Sequence, residues 1–455
     1  MTITQTDQPA ATRGLPERVP VAVVGGGQAG LSISWHLVQR GVEHVVLERD
    51  TIAHEWADAR WDTFCLVTPN WQCQLPGWPY RGADPEGFML RDEIVEYVRG
   101  YAASFGPPVH EGVAVTSLAP AADGGYVLST SAGEVAAEQV VLAVGGYHLP
   151  VVPPYATALP RDVVQLHSQE YRNPDQLPDG DVLVVGTGQS GAQIAEDLHR
   201  AGRRVHLAVG SAPRIARRYR GRDVVAWLHD MGYYDLPVER HPLGEGARRQ
   251  TNHYVTGRSG GHDLDLRAFA REGMRLHGRL AAISGGRLDF AADLGENLDR
   301  ADAVSESIKD SVDAFIDASG TDAPPEPRYS PVWQPPASPD TPLDLDAAGI
   351  SAVIWSTGFG RDYRWVDVPV FDGRGYPTHD RGVTNCPGLY FVGLPWLHTW
   401  GSGRFSGVGR DARHLAARII ADRHRKWGDD LRWIAGSPTE TFPDRDWSFP
   451  RTAVS

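Results

Sequence analysis

Three cysteines in 455 residues are too few to staple a fold, and Cys65, Cys73 and Cys386 form no Cys-x-x-Cys pair. The chain therefore fits a reducing compartment, and the redox dithiol that a flavin disulfide reductase needs is missing. An excess of positive charge is missing too: the formal net charge of -13 argues against a nucleic-acid partner. No apolar run approaches the ~20 residues of a membrane helix. Residues 1–17 are polar, contain prolines and have no apolar core segment, so a disordered lead is expected there and not a signal peptide. These absences predict a cytoplasmic protein with neither a membrane nor a nucleic-acid partner. At about three ordinary domain lengths, it has room for more than one folding unit.

Glycine is abundant, at 50 residues, and its placement carries the argument. Residues 21–30, VAVVGGGQAG, read as an apolar strand entering a tight turn and then a helix. Gly25 serves the turn, Gly27 lets a pyrophosphate approach the backbone, and Gly30 lets the helix pack on the strand. A second strand at 45–48 ends in Glu48, where a carboxylate holds a ribose hydroxyl pair. The unit predicts a dinucleotide site, which together with a second, basic unit later in the chain implies FAD.

Residues 181–191, DVLVVGTGQSG, repeat the pattern with Gly186, Gly188 and Gly191, and Gln189 and Ser190 open the helix. The strand that follows, 205–209, ends without an acid and leads into Ser211, Arg214, Arg217 and Arg218, with Arg220 and Arg222 beyond. A cationic cluster at the ribose end suits a 2'-phosphate, so NADPH is expected; a solvated loop is the plainer reading of the same arginines. The fold class expected is α/β, with two Rossmann-like dinucleotide-binding domains.

Between the motifs, residues 51–85 form a connection rich in aromatics and broken by prolines, 91–105 a helix, and 113–118 with 126–130 an antiparallel pair. The strand near 138–144 ends in glycines, with Gly145 close to where both nucleotides pass. Residues 267–276 and 303–316 have helical spacing, and a Gly-Gly turn at 285–286 separates two short strands. Residues 352–358, AVIWSTG, are a strand running into Thr357 and Gly358, read as the return of the first domain. A strand ending at Gly393 and a helix from 407 to 422 complete it. The expected division is an FAD domain over 18–158 and 330–422, interrupted by an NADPH domain over 159–329, with a tail over 423–455. Gly409 at the start of the last helix can offer its N–H to the flavin, and Asp411 fits a capping carboxylate equally well.

Both glycine motifs, the His167-Ser168-x-x-Tyr171 element, Trp355-Ser356-Thr357-Gly358-Phe359 and residues 388–393, GLYFVG, together resemble the class B flavoprotein monooxygenases, the flavin-containing monooxygenase-like family. The resemblance spans roughly residues 18–422. It implies reduction of FAD by NADPH, capture of O2 as a peroxide on the flavin, and transfer of one oxygen atom to a small organic substrate at nitrogen or sulfur. Baeyer-Villiger oxidation of a ketone, or an NADPH oxidase or reductase without oxygen transfer, are the alternatives. Val163 and Arg161 depart from the family's glycine and aromatic ahead of the histidine, and Tyr171 departs from the tryptophan of the Baeyer-Villiger signature. The resemblance implies a junction role for His167 and Tyr171 in NADPH binding; a structural histidine is the other reading of His167. It makes Thr68 and Asn70 candidates for supporting the peroxide. Trp396 and Trp400 are candidate walls of the substrate space, or else buried packing. Arg404 is the positive charge of that segment and suits either an anionic substrate or a flavin phosphate. A homodimer is expected from symmetry base rates alone.

Overall fold

The computed structural model describes residues 14–336 and 342–427, so most of the expected lead and of the expected tail lie outside the described residues, while 423–427, expected to open the tail, continue the last helix. The chain opens with β1 (Arg18–Val24), α1 (Gln28–Val38) and β2 (His44–Leu47). After the aromatic connection comes α2 (Arg91–Phe105), at the expected bounds. Glu93 closes its first turn by accepting the Leu90 N–H at 2.8 Å, and Gly106 ends it at φ 59°. Then follow β3 (Val109–His110), β4 (Val115–Pro120), β5 (Tyr126–Thr130) and β6 (Gly133–Leu142). A short β7 (Leu149–Pro150) leads to β8 (Val164–His167), β9 (Asp181–Val185), α3 (Gln189–Arg200) and β10 (Val205–Ala208).

The helix expected over 267–276 is shorter: α4 (Leu266–Arg271) stops and the chain turns into β11 (Arg275–His277). The Gly-Gly turn joins β12 (Leu280–Ser284) to β13 (Arg287–Phe290) as an antiparallel hairpin. The 303–316 pattern is the middle of a long α5 (Leu294–Ser319). The chain closes with β14 (Ile350–Trp355), β15 (Phe359–Gly360), β16 (Leu389–Phe391) and α6 (Val408–Trp427).

Two sheets result. The first is seven-stranded in the order β3-β2-β1-β6-β5-β4, with β16 pairing β6. The second is five-stranded and parallel, in the order β8-β14-β9-β10-β11. Side chains of β1 alternate between two cores, Val21 and Val23 on one face and Ala22 and Val24 on the other. Val182 and Val184 of β9 face away from Leu183 and Val185 in the same way. Both faces are covered, which is why these strands read as unbroken apolar runs.

The placement of β14 corrects the sequence reading. The 352–358 strand was expected to resume the first domain, but it is inserted between β8 and β9 of the second sheet. An apolar run ending in glycine fits either sheet, because the signal records burial on both faces and not the identity of the neighbours. The chain first returns to the first sheet at residues 365–367, which bridge Leu118 of β4, and re-enters it as a strand with β16. The crossing between the two is a two-stranded ribbon of β7 and β15.

Candidate functional site: two glycine turns facing one cleft

Strand register sets the first turn. Val24 lies opposite Leu47 and Leu142, and Leu142 opposite Phe391, so four strands finish level. Gly25, Glu48, Ala143 and Val392 therefore follow side by side. Gly25 has φ 107°, and a Cβ there would meet the Ala143 carbonyl oxygen at 2.6 Å. A Cβ on Gly30 would lie 1.8 Å from the Gly25 carbonyl oxygen, whereas one on Gly27 would meet nothing within 4 Å. The first two glycines are required by the protein itself; the third leaves an open cradle at the N-terminus of α1. Glu48 accepts the N–H groups of Gly26 at 2.5 Å and Asp50 at 2.9 Å, which holds its carboxylate at the lip of the turn. Gly393, at φ 82°, allows the approach of Ala29, whose Cβ a side chain there would meet at 2.5 Å. Gly145, at φ 70°, faces open space.

The second turn repeats this geometry. Val185 lies opposite Ala208 and Trp355, and Trp355 opposite His167. Gly186 has φ 103° and would place a Cβ 2.6 Å from the Ser356 carbonyl oxygen, and Gly191 would place one 2.0 Å from that of Gly186. Gly188 would meet only the Thr251 Cγ2, at 4.0 Å. Gln189 clamps the covering loop by donating to the Val255 carbonyl at 2.5 Å, while Ser190 stays half-buried beside it.

The arginines of the next segment divide. Arg214 is buried and pairs with Asp302 at 2.5 Å, stacked on the Tyr329 ring at 4.2 Å. Arg217 is buried against Asp223 at 2.5 Å and donates to the Val67 carbonyl at 2.7 Å. Both guanidinium groups are committed to internal carboxylates, a correction to their expected use at a 2'-phosphate. Ser211 and Arg218 are exposed.

The sequence-named catalytic candidates also divide. His167 is buried; its Nε2–H donates to the Gly358 carbonyl at 3.1 Å and its Nδ1 accepts the Gln169 N–H at 3.3 Å. Burial lowers its pKa below the ordinary histidine value, so it is a neutral ring that ties β8 to the Gly358 turn. Tyr171 donates to Asp197 at 2.7 Å, a buried carboxylate that also receives Thr63 at 2.6 Å and Arg258 at 2.8 Å. Asn70 spends its amide on the loop backbone, donating to the Asp84 carbonyl and accepting the Met89 N–H. These three hold the junction and the aromatic connection in place, and none of them offers a free polar group to a substrate. Thr68 is half-buried in the same connection. Trp396, at φ 53°, packs with Val238 and Ala247 against the His241 ring. Trp400 instead faces Tyr234 and Tyr233, at 4.6 and 5.7 Å between ring centroids, with Arg404 over it at 3.5 Å.

The two turns meet around Arg404. Gln28, in the first turn, donates to the Gly403 carbonyl at 3.2 Å and accepts from the Trp56 indole at 3.2 Å. Arg404 itself donates to Asn252, next to the Thr251 that covers Gly188. Thr357 donates to the Val151 carbonyl, and Phe359 packs between Tyr147 and His167. Gly409 abuts Pro76, and Asp411 is buried two residues on in the same first turn, where burial pushes its carboxyl up to about 6 against a hydrogen bond from Ser402. Sequence reading did not single out Gln28, Arg60, Tyr147 or Asn252 as site residues. Only the Gly145-Gly146 pair just before Tyr147 gave a signal. A cavity of about 560 Å³ lined by Gln139, Thr384, Tyr390 and Arg418 opens beside β6 and β16 near Gly388, where β16 starts, away from both turns.

Fold and site define an oxidoreductase with FAD and NADPH as its dinucleotides. Residues 22–230 match the family model described as pyridine nucleotide-disulphide oxidoreductase. An uncharacterized CzcO-like oxidoreductase of Geobacillus kaustophilus is 32% identical over 406 residues, covering 88% of this chain and 98% of that protein. The indole-3-pyruvate monooxygenase YUCCA1 of rice is 34% identical over 204 residues, 44% of this chain and 50% of that protein. A flavin-containing monooxygenase from Stenotrophomonas maltophilia shares the fold with a TM-score of 0.60 at 20% identity, over 89% of this chain and 99% of that one. The chain belongs to the CzcO-like oxidoreductases and resembles the flavin-containing monooxygenase-like class B flavoproteins.

Proposed function

We propose that this chain is an FAD- and NADPH-dependent monooxygenase that places one oxygen atom of O2 on a nitrogen or sulfur of a small organic substrate. The observation that carries the reading is the pair of open glycine cradles, at Gly27 and Gly188, whose loops join at Arg404 and Asn252. The first cradle suits FAD: Gly25, Gly27 and Gly30 would pass its pyrophosphate, Glu48 would hold its ribose, and Gly393 and Gly409 flank its path. The second suits NADPH through Gly186, Gly188 and Gly191, with Ser211 and Arg218 as the exposed groups at the ribose end. Bound FAD supplies acceptance of a hydride and the activation of O2. The chain's own task is to place substrate and exclude water, and the aromatic walls of the cleft suit that.

The likeness to YUCCA1, an indole-3-pyruvate monooxygenase, supports oxygenation over other flavin chemistry. A disulfide reductase is disfavoured by the thiols: Cys65 and Cys73 are buried, with pKa values pushed up to about 11 and about 12 by burial. A thiol held protonated is a poor nucleophile. Turnover of a thioether and a tertiary amine under isotopically labelled O2 tests the reading. One labelled oxygen per product supports it; unlabelled product, or none while NADPH is consumed, refutes it.

A further inference from the structure

Three segments far apart in the chain meet on one buried carboxylate, that of Asp197. It stands on α3, the helix that starts at the second glycine turn, and is 3% exposed. Thr63 of the aromatic connection and Arg258 of the loop over Gly188 donate to its Oδ1, at 2.6 and 2.8 Å, and the Tyr171 hydroxyl donates to its Oδ2 at 2.7 Å. A buried carboxylate is tolerated when donors meet its lone pairs, and here each donor comes from a different segment.

On one side the contacts lead to the first turn. Trp61 is buried in the core of the second sheet, while Phe64 packs against the cores of both sheets. The Phe64 ring lies 6.0 Å from the Trp56 centroid, and the Trp56 indole donates to Gln28 at 3.2 Å. On the other side they lead to the second turn. Gln189 exchanges two hydrogen bonds with Val255, at 2.5 and 3.3 Å, and Arg258 returns the same loop to Asp197. The loop lies directly on the connection, since a Cβ on Gly257 would stand 2.1 Å from the Leu66 carbonyl oxygen. Contacts therefore run without a break from Gln28 to Gln189, and the two halves join at Asp197.

NADPH gives up a hydride, two electrons with one proton, to the oxidised flavin and leaves as NADP+. Such a transfer depends on placement: an error of about 1 Å costs on the order of a hundredfold in rate. Given that the two turns hold FAD and NADPH, we propose that Asp197 is a positioning residue for this hydride transfer. Through Thr63 it sets the second turn against the first, and through Arg258 it holds the covering loop on the nucleotide.

Stopped-flow reduction of FAD-loaded protein over a range of NADPH concentrations, without O2, separates the limiting rate from the dissociation constant. Titration of the oxidised protein with NADP+ gives affinity without turnover. Thr63→Val unties the connection alone and is expected to lower the limiting rate about tenfold with both affinities kept. Arg258→Gln unties the loop alone and is expected to weaken NADPH and NADP+ several-fold at an unchanged limiting rate. Asp197→Asn keeps the shape, loses the charge and is expected to show both losses with FAD still bound. A lower Tm in Asp197→Asn with limiting rate and affinities unchanged would make the carboxylate a structural support and overturn the proposal. So would an unchanged limiting rate in Thr63→Val, which gives up a single hydrogen bond and decides the matter even where Asp197→Asn fails to fold. Wild-type flavin that NADPH does not reduce would refute the dinucleotide reading and this proposal with it, whereas normal reduction in wild type and all three variants would overturn this proposal alone.

Discussion

Individual glycines separate what the fold needs from what a cofactor needs. Gly30→Ala drives a Cβ into the Gly25 carbonyl, with no flexible side chain to yield, and is expected to cost on the order of 3 kcal/mol or to prevent folding. Gly27→Ala meets open space at φ -76°, so thermal stability without cofactor should stay near wild type while FAD affinity falls about tenfold or more. Gly188→Ala, at φ -59°, should spare FAD and weaken NADPH. Calorimetry of the cofactor-free proteins and titration with each dinucleotide check the set. Equal loss of stability in Gly27→Ala and Gly30→Ala would contradict the open cradle. The glycines were legible in the sequence because each role rests on the absence of a side chain. Tyr171 and Asn70 were legible as important residues but not in role, and of the two readings left open for His167 the structural one holds: which oxygen or nitrogen a polar tip meets depends on segments elsewhere in the chain, such as Gly358 for His167 and Asp197 for Tyr171.

At the scale of elements, the segment after β10 joins two cores as much as it borders a nucleotide. Arg217→Gln leaves Asp223 without its buried ion-pair partner, whereas Arg214→Gln leaves Asp302 with one of its two buried guanidinium partners, Arg267 at 2.9 Å. The first is expected to destabilise by about 3 kcal/mol and the second by less, and in both the preference for NADPH over NADH should shift little. Arg218→Gln should do the reverse, lowering that preference with little loss of stability. Denaturant titration alongside rates of reduction by the two nucleotides separates the outcomes, and a collapse of NADPH preference in Arg217→Gln at unchanged stability would sink this assignment. The same limit hid the position of β14. Apolar runs announce buried parallel strands, and local glycines announce the turns, but the order of strands in a sheet is set by crossovers that no single strand records. The α2 helix, whose cap, amphipathic face and terminal glycine are all local, was legible to its ends.

Across the whole molecule, buried and half-buried histidines give stability a direction with pH. His36, His253, His379 and His398 are each lowered to about 4, with burial the largest cause. The unfolded chain takes up protons near pH 6.5, the ordinary histidine value, and the folded chain only near 4. Between those values the unfolded state binds more protons, so stability is fully present above about pH 6.5 and is lost as pH falls toward 4. Tm should therefore drop steadily from pH 7 to pH 5, and a flat profile would contradict the burial of these rings. Among the described residues no helix is long and apolar enough to cross a membrane. Two cradles in one chain that hold different dinucleotides should pass electrons from one to the other. Anaerobic mixing of FAD-loaded protein with NADPH, followed by flavin absorbance in wild type and Gly188→Ala, measures this. NADPH is expected to bleach the flavin in the wild type, and in Gly188→Ala at a rate that recovers only at higher nucleotide concentration. Flavin that stays oxidised under excess NADPH in the wild type, or an unchanged nucleotide dependence in Gly188→Ala, would contradict it.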